Sequence, residues 1–278
     1  NGLRVGDILS PDFTRNYEFL KNKHKELLQQ YTYQSNIEQH EDAWFKGVEV
    51  IKQFRLVDSE YDINEMLVAG KRVLAEGAQG SLLDIDFGSY PFVTSSNTIC
   101  AGACTGLGIS PHSIGEVYGI FKAYCTRVGS GPFPTEQEND TGEKMRNLGA
   151  EFGATTGRPR RCGWLDMVAL KYAIMLNGVT RLIMTKADVL DSFDTIKVAV
   201  AYLVNGKQTT RLPYDINVPV EPVYKEFKGW KSDITGITNE HDFPVELAEY
   251  ISFIEHETGV PIHIVSVGPN RNSTIVRA

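Results

Sequence analysis

Over the first 70 residues the apolar positions recur at helical spacing. Phe13, Tyr17, Leu20, His24, Leu27 and Tyr31 follow one another at alternating steps of four and three, which places them on one face of a helix. Ser10, Pro11 and Asp12 precede that face and read as a helix start, with Ser as N-cap and Pro in the first turn. His24 on such a face is expected to be a packed core histidine. A second amphipathic stretch carries Trp44, Val48, Ile51 and Phe54, and a third runs from Asp62 to a stop at Gly70. Residues 1–70 are therefore expected to form a helical subregion.

From residue 71 the period changes. Short apolar runs at 72–77 (RVLAEG), 117–124 (VYGIFKAY), 181–186 (RLIMTK) and 262–267 (IHIVSV) have the length and composition of buried strands. Helices are expected between them at 163–177 and 244–257, the latter with Pro244 near its start and Gly259 just past its end. Alternating strands and helices predict an α/β core over 71–278, with a mostly parallel central sheet flanked by helices. Asn205-Gly206 between two extended runs predicts an appended antiparallel hairpin. Together with the helical subregion, this core reads as one incomplete domain of a larger protein.

Charge and composition narrow the partners. With 28 Lys+Arg against 35 Asp+Glu the 278-residue chain carries a formal charge of −7, whereas nucleic-acid and anionic-membrane surfaces usually leave a basic excess. No apolar run approaches the roughly 18 residues of a membrane span, and no signal-peptide pattern opens the chain. The expectation is a cytoplasmic protein that binds neither nucleic acid nor membrane. Cys100, Cys104, Cys125 and Cys162 form no CxxC pair. Cys100 and Cys104 with His112 lack an evident fourth zinc ligand, so small buried thiols are the preferred reading and no metal site is assigned.

In open α/β sheets ligands sit at the carboxyl ends of strands. After the first predicted strand, Gln79, Asp84, Asp86, Thr94, Ser95 and Asn97 supply polar atoms among Gly77, Gly80 and Gly88; a ligand-facing segment and a polar loop of Asx turns both fit. After the third, Thr185-Lys186-Ala187-Asp188 has the TKxD form of guanine-specific sites. An Asp carboxylate there accepts from guanine N1–H and the 2-amino group, a donor pair that adenine lacks; a solvated helix start fits the same four residues. After the last, Ser266, Val267 and Gly268 bring backbone groups to the same edge, and a turn set by Gly268-Pro269 fits as well. The glycines of CAGACTGLGIS (100–110) lack the Lys of a phosphate loop and read as close backbone packing.

The most particular stretch is EFGATTGRPRRCGWLD (151–166). Two threonines and hinge-capable Gly153 and Gly157 stand beside Arg158, Arg160 and Arg161 in an acidic chain. Three guanidinium groups this close repel one another and suit an anion with several oxygens. Arg161 is read as structural.

These segments, in this order, resemble the adenylosuccinate synthetases. AEGAQGSLLDIDFGSYPFVTSSN, TRVGSGPFPTE, EFGATTGRPRRCGWLD, TKADVLD and GVPIHIVSVGPNR carry the resemblance, which covers nearly the whole chain. It implies a GTP-dependent ligation of L-aspartate to IMP through a 6-phosphoryl intermediate, in a magnesium-dependent cytoplasmic homodimer. By resemblance, Gln79 contacts the IMP base, Thr94 holds the IMP phosphate, and Arg158 is shared by the IMP and aspartate sites. Ala154, Thr155, Thr156, Gly157, Arg158, Pro159 and Arg160 match the loop that closes on aspartate, and Arg160 also reaches GTP. Lys186, Ala187 and Asp188, with Ser266, Val267 and Gly268, match the guanine pocket. Arg158, Arg160 and Gln79 would support the transition state.

The chain departs from the family's pattern in two ways. Pro159 stands where family members often have arginine, and its fixed φ is expected to stiffen the loop. The chain opens at Asn1 without Met, and GLRVGD (2–7) resembles a stretch well inside the family's sequence. The expectation is thus a C-terminal two-thirds, inactive alone. The family's phosphate loop, its catalytic Asp and His and its magnesium contacts would lie upstream. Two other readings stay open at this point: a guanine-nucleotide-binding module without ligase chemistry, and a structural fragment with an exposed sheet edge.

Overall fold

The computed structural model describes residues 2–33, 35–153 and 157–277. Residues 1–71 and 72–278 form two compact units.

The first unit holds α1 (Phe13–Leu28), α2 (Glu38–Ile51) and α3 (Ser59–Val68). Helical spacing brings Phe13 and Tyr17 of α1 onto Trp44 and Phe45 of α2, with Tyr17 and Trp44 stacked at 4.9 Å between ring centroids. Glu41 accepts from Tyr17 Oη at 2.8 Å and Lys21 Nζ at 2.6 Å beside this cluster. Ile8, Phe13 and Val48 are its buried apolar residues. His24, expected in the core, is exposed, as are Leu27 and Tyr31: the periodic face continues past the aromatic cluster that covers its first two turns.

The second unit builds its main sheet from β1 (Tyr118–Lys122), β5 (Arg181–Thr185), β9 (Ile262–Ser266) and β10 (Thr274–Val276), in the order β1-β5-β9-β10. The first three are mutually parallel and β10 is antiparallel. A second sheet joins β4 (Leu165–Asp166), β6 (Thr195–Val204), β7 (Lys207–Thr209) and β8 (Val220–Lys228). Asn205 and Gly206, both at positive φ, turn β6 into β7, the geometry that two-residue hairpins need. A small ribbon pairs β2 (Cys125–Arg127) with β3 (Arg161–Gly163).

Helices α4 (Ala101–Leu107), α5 (Asp140–Leu148), α6 (Met167–Asn177) and α7 (Val245–Thr258) complete the unit. On α7, Leu247, Tyr250, Ile251 and Ile254 recur at helical spacing and are buried with Leu182, Met184, Ile262 and Val265 of the sheet. Left-handed glycines Gly178 and Gly259 end α6 and α7.

Three expectations need correction. Residues 72–77 form no strand and are exposed, Leu74 at 92%. An extended run becomes a strand only when its backbone groups find a ladder partner, and β1, the outer strand of the main sheet, pairs with β5 alone. The helix expected from 163 begins at Met167, because Leu165 and Asp166 pair with Val198 and Ala199 first; Asp166 then caps it, accepting from Ala169 N at 3.1 Å. The first helix is preceded by Asp12 rather than by Ser10, whose hydroxyl accepts from Asp12 N.

Candidate functional site

The parallel register of β5 and β9 pairs Met184 with Val265. The next residues, Thr185-Lys186 and Ser266-Val267, therefore leave the sheet side by side at its carboxyl edge. Beyond β5, Lys186 takes a left-handed backbone (φ 59°) and opens one turn of 3-10 helix, Ala187–Leu190. Ala187 is buried in the core. Burial pushes the half-buried Asp188 carboxyl up, and Asp233 adds to the shift. No other described residue donates a hydrogen bond to that carboxylate, a cost that a ligand's N–H groups would relieve. Beyond β9, Ser266 Oγ donates to Gly268 O at 3.0 Å and Val267 N to Ser273 O at 2.9 Å. A Cβ on Gly268 would fall 3.0 Å from Ser273 Oγ, so this turn is closely packed.

The arginine segment is a clipped hairpin. Arg160 N donates to Glu151 O at 2.9 Å, Phe152 bridges Pro159, and Gly153 N donates to Arg158 O at 2.9 Å. Pro159 falls between the two ladder bonds, where its missing N–H costs nothing. Gly157, exposed at φ 63°, donates back to Gly153 O, and Arg158 is exposed. Ala154, Thr155 and Thr156 lie outside the described residues. Arg161 braces the ribbon instead: it pairs with Glu136, donates to Gly129 O and Gly131 O, and lies over the Phe133 ring.

At the root of the hairpin Glu151, fully buried, gathers four groups. Its Oε2 accepts from Arg160 Nη1 at 2.8 Å. Its Oε1 accepts from Lys122 Nζ at 2.7 Å and Tyr124 Oη at 2.6 Å, and lies 3.7 Å from Lys186 Nζ. Burial alone would raise the Glu151 carboxyl, but the bonds from Lys122 and Tyr124 and the charges of Lys122 and Lys186 outweigh it and hold it below the usual carboxylate range. Lys186 Nζ also donates to Gly149 O. Arg160 Nε is buried with no hydrogen-bond partner among the described residues. Three cations around one carboxylate leave a net positive site.

A cleft of about 1610 Å³ adjoins this cluster; Gln79, Lys122, Tyr124, Arg160 and Thr185 all line it. Gln79 is exposed at φ 73°. Such a backbone is uncommon outside glycine and costs free energy; Gln79, Ala150 and Lys186 all adopt it around the site. Thr94 is outside the lining: its Oγ1 donates to Leu83 O at 2.9 Å and meets Ser96 Oγ at 3.0 Å. Asp84, expected to offer a polar atom to a ligand, is turned inward and fully buried. It accepts from the backbone N–H of Asp86, Phe87, Thr98 and Ile99. The Cys100-rich loop forms α4; a Cβ on Gly102 would fall 2.5 Å from Asn97 O, and Gly108 caps the helix at φ 71°.

The ends of β1 and β5 and the arginine hairpin thus come together through Glu151. Sequence reasoning passed over Glu151, Lys122 and Tyr124. Glu151 stood inside the arginine motif but was masked by its cations, and the end of β1 has no glycine signature to draw attention to it.

A family model described as adenylosuccinate synthetase matches residues 1–275. The chain is 60% identical over 277 residues to an adenylosuccinate synthetase of Parabacteroides distasonis and equally to one of Bacteroides fragilis, all of this chain aligning with 65% of each relative. A solved structure, a fully ligated adenylosuccinate synthetase from Plasmodium falciparum, is 37% identical with a TM-score of 0.93, covering 100% of this chain and 66% of that one. The chain therefore spans about two thirds of the length of the proteins it matches.

Proposed function

The chain belongs to the adenylosuccinate synthetase family, and from that membership we propose that it carries the substrate-binding core of a GTP-dependent ligase that joins L-aspartate to IMP in purine nucleotide biosynthesis. The γ-phosphoryl of GTP passes to O6 of IMP, and the aspartate amine then displaces it as phosphate. Phosphoryl transfer is largely positioning and charge stabilisation, which suits a net positive cluster beside a cleft.

In this reading Lys186, Ala187 and Asp188 with Ser266, Val267 and Gly268 hold guanine, Asp188 accepting from N1–H and the 2-amino group. Arg160, with its unpartnered Nε, meets the nucleotide phosphates and the aspartate carboxylates. Gln79 and Thr94 take the base and phosphate of IMP, and residues 154–160 close on aspartate with Arg158 on the IMP side. The observation that carries the reading is the side-by-side exit of Thr185-Lys186 and Ser266-Val267, with the arginine hairpin tied to the same edge. A guanine-binding module without ligase chemistry is not favoured, because the family match runs through the arginine motif as well.

Neither of the buried carboxylates Glu151 and Asp84 is free to hold magnesium. Glu151 has both oxygens committed to cations and Tyr124, and Asp84 has both committed to backbone N–H groups; no cluster of three metal-ligating side chains occurs among the described residues. By the resemblance, magnesium would be held with GTP mainly by residues that precede this chain, and no step is assigned to it. By the same resemblance, this chain is proposed to bind and position substrates without turning them over by itself. Cytoplasmic location and a homodimer complete the proposal.

Calorimetry of this chain with IMP and GDP tests it: each binds in the presence of the other. Loss of IMP binding, or competition of the two for one site, refutes the reading. Adenylosuccinate formed by the chain alone from IMP, GTP and aspartate refutes the absence of turnover.

A further inference from the structure

We infer that Glu151 is a positioning residue, whose single buried carboxylate ties the arginine at the root of the loop to the lysine at the guanine-side strand end so that both meet the nucleotide as one unit. The inference rests on the reading above that Arg160 and Lys186 face a nucleotide.

The geometry divides the carboxylate between the two sides. Among the described residues Oε2 serves Arg160 alone, while Oε1 serves Lys122 and Tyr124 and stands 3.7 Å from Lys186. Glu151 is completely buried, but the cations around it are not: Arg160, Lys186 and Lys122 keep 32%, 37% and 23% of their side-chain surface. A buried carboxylate needs several hydrogen bonds to offset its desolvation, so what sets Glu151 apart is where its partners come from: the arginine hairpin, the end of β1 and the end of β5. Here three cations are held with their outer faces open, and one buried guanidinium nitrogen of Arg160 is left without a partner.

The backbone reinforces the coupling. Glu151 O accepts from Arg160 N, and Arg146 Nε donates to Arg160 O at 2.8 Å, so the arginine is fixed at both ends of its peptide unit. Lys186 is fixed by its left-handed backbone and by Gly149 O, two residues before Glu151. Tyr124 stands behind the carboxylate and orients it. A Cβ on Gly149 would fall 2.2 Å from Tyr124 Oη, so glycine there leaves room for the clamp. Movement of the loop root thus changes the field at Lys186, and occupation of the guanine side changes the field at Arg160.

A double-mutant cycle on GDP affinity tests this in the whole chain. Arg160→Ala and Lys186→Ala are measured singly and together, first with Glu151 in place and then with Glu151→Gln added to all four proteins. With Glu151 the double loss departs by about fivefold from the product of the single losses, within the range of neighbours that share a partner; with Glu151→Gln the departure shrinks to about twofold or less. Glu151→Asp, which keeps the charge, retains more of the coupling than Glu151→Gln. A purely structural carboxylate would lower affinity throughout and leave the coupling unchanged, and that result overturns the inference.

If Glu151→Gln does not fold, Tyr124→Phe takes its place in the cycle, since it removes the 2.6 Å bond that orients the carboxylate and keeps the charge; unchanged coupling again overturns the inference. If the unsubstituted chain binds no GDP, the proposed function fails by itself. Hydrogen exchange then decides the inference in the free chain: Glu151→Gln, or Tyr124→Phe if that variant does not fold, speeds exchange in residues 150–153 and 185–190 together, and acceleration in only one segment or in neither overturns it.

Discussion

The residues assigned to the IMP side and those assigned to the guanine side are held in different ways. Residues 72–99 form no paired strand: 71–80 are exposed throughout, and the turns that follow are organised by one buried carboxylate, Asp84. The guanine-side edge is the continuation of β5 and β9, whose Leu182, Met184, Ile262 and Val265 sit in the main core. Hydrogen bonds within the loop, with others donated by Tyr172 and Asn177 of α6 and Arg127 of β2, fix the first region, and a packed parallel sheet fixes the second. Where a sheet does the positioning, a strand-end residue inherits its place from the register. A loop must be held by polar groups, its own and those of the elements beside it.

The largest expected effect separates the two by stability. Leu182→Ala, at a position 1% exposed, costs about 2–5 kcal/mol in denaturant unfolding. Leu74→Ala, at a position 92% exposed, changes stability by less than about 0.5 kcal/mol. Equal effects would erase the distinction.

Next comes Asp84→Ala, which strips four backbone N–H groups of their acceptor and costs about 1–3 kcal/mol. The acceptor role also fixes a pH dependence. Burial opposes the Asp84 charge, but the four N–H bonds prevail and hold its carboxyl below the usual value of 3.8. Its folded value lies below its unfolded one, so its contribution is full above the unfolded value and is lost as pH falls through the folded one. Acid unfolding of Asp84→Ala, followed by circular dichroism below about pH 4, should therefore be shallower than that of the unsubstituted chain. An identical acid limb would show that Asp84 is not the organiser of the loop.

The smallest effect concerns the hairpin that joins the cleft to the sheet edge. Pro159→Ala removes no ladder bond, because the neighbouring pairs carry them. It should lower stability by only about 0.4–1 kcal/mol, through the freer unfolded chain. A larger loss in thermal unfolding would mean that the ring itself packs in the site.

The same contrast explains what could be read beforehand. The strands at 181–186 and 262–267 and the helix at 244–257 were legible because burial on a parallel sheet leaves continuous apolar runs and ends at Pro244 and Gly259 leave marks. RVLAEG has the same local pattern, yet a strand is a property of a pair, and residues 72–77 have no partner. His24 misled for a related reason: periodicity gives a face but not the extent of what covers it. The arginine loop and TKAD stood out by residue type, and their roles are part of the proposed function. Glu151 did not stand out, because its importance comes from Lys122, Tyr124 and Lys186, which lie 29, 27 and 35 positions away in the chain. The assignment of Thr94 and Gln79 to IMP stays a proposal carried by resemblance. Their loop geometry gives Gln79 a place in the cleft lining and turns the Thr94 hydroxyl into its own loop.

The central claim is that the β5 and β9 ends form a guanine-specific pocket, and base selectivity measures it most directly. Titrating the chain with GDP and with ADP should give GDP at least about 100-fold tighter, because a desolvated carboxylate rejects a base that leaves it unpaired. Asp188→Ala should abolish that preference while the fold, followed by circular dichroism, is retained. Equal affinity for the two nucleotides, or a preference for GDP that survives Asp188→Ala, would contradict the account.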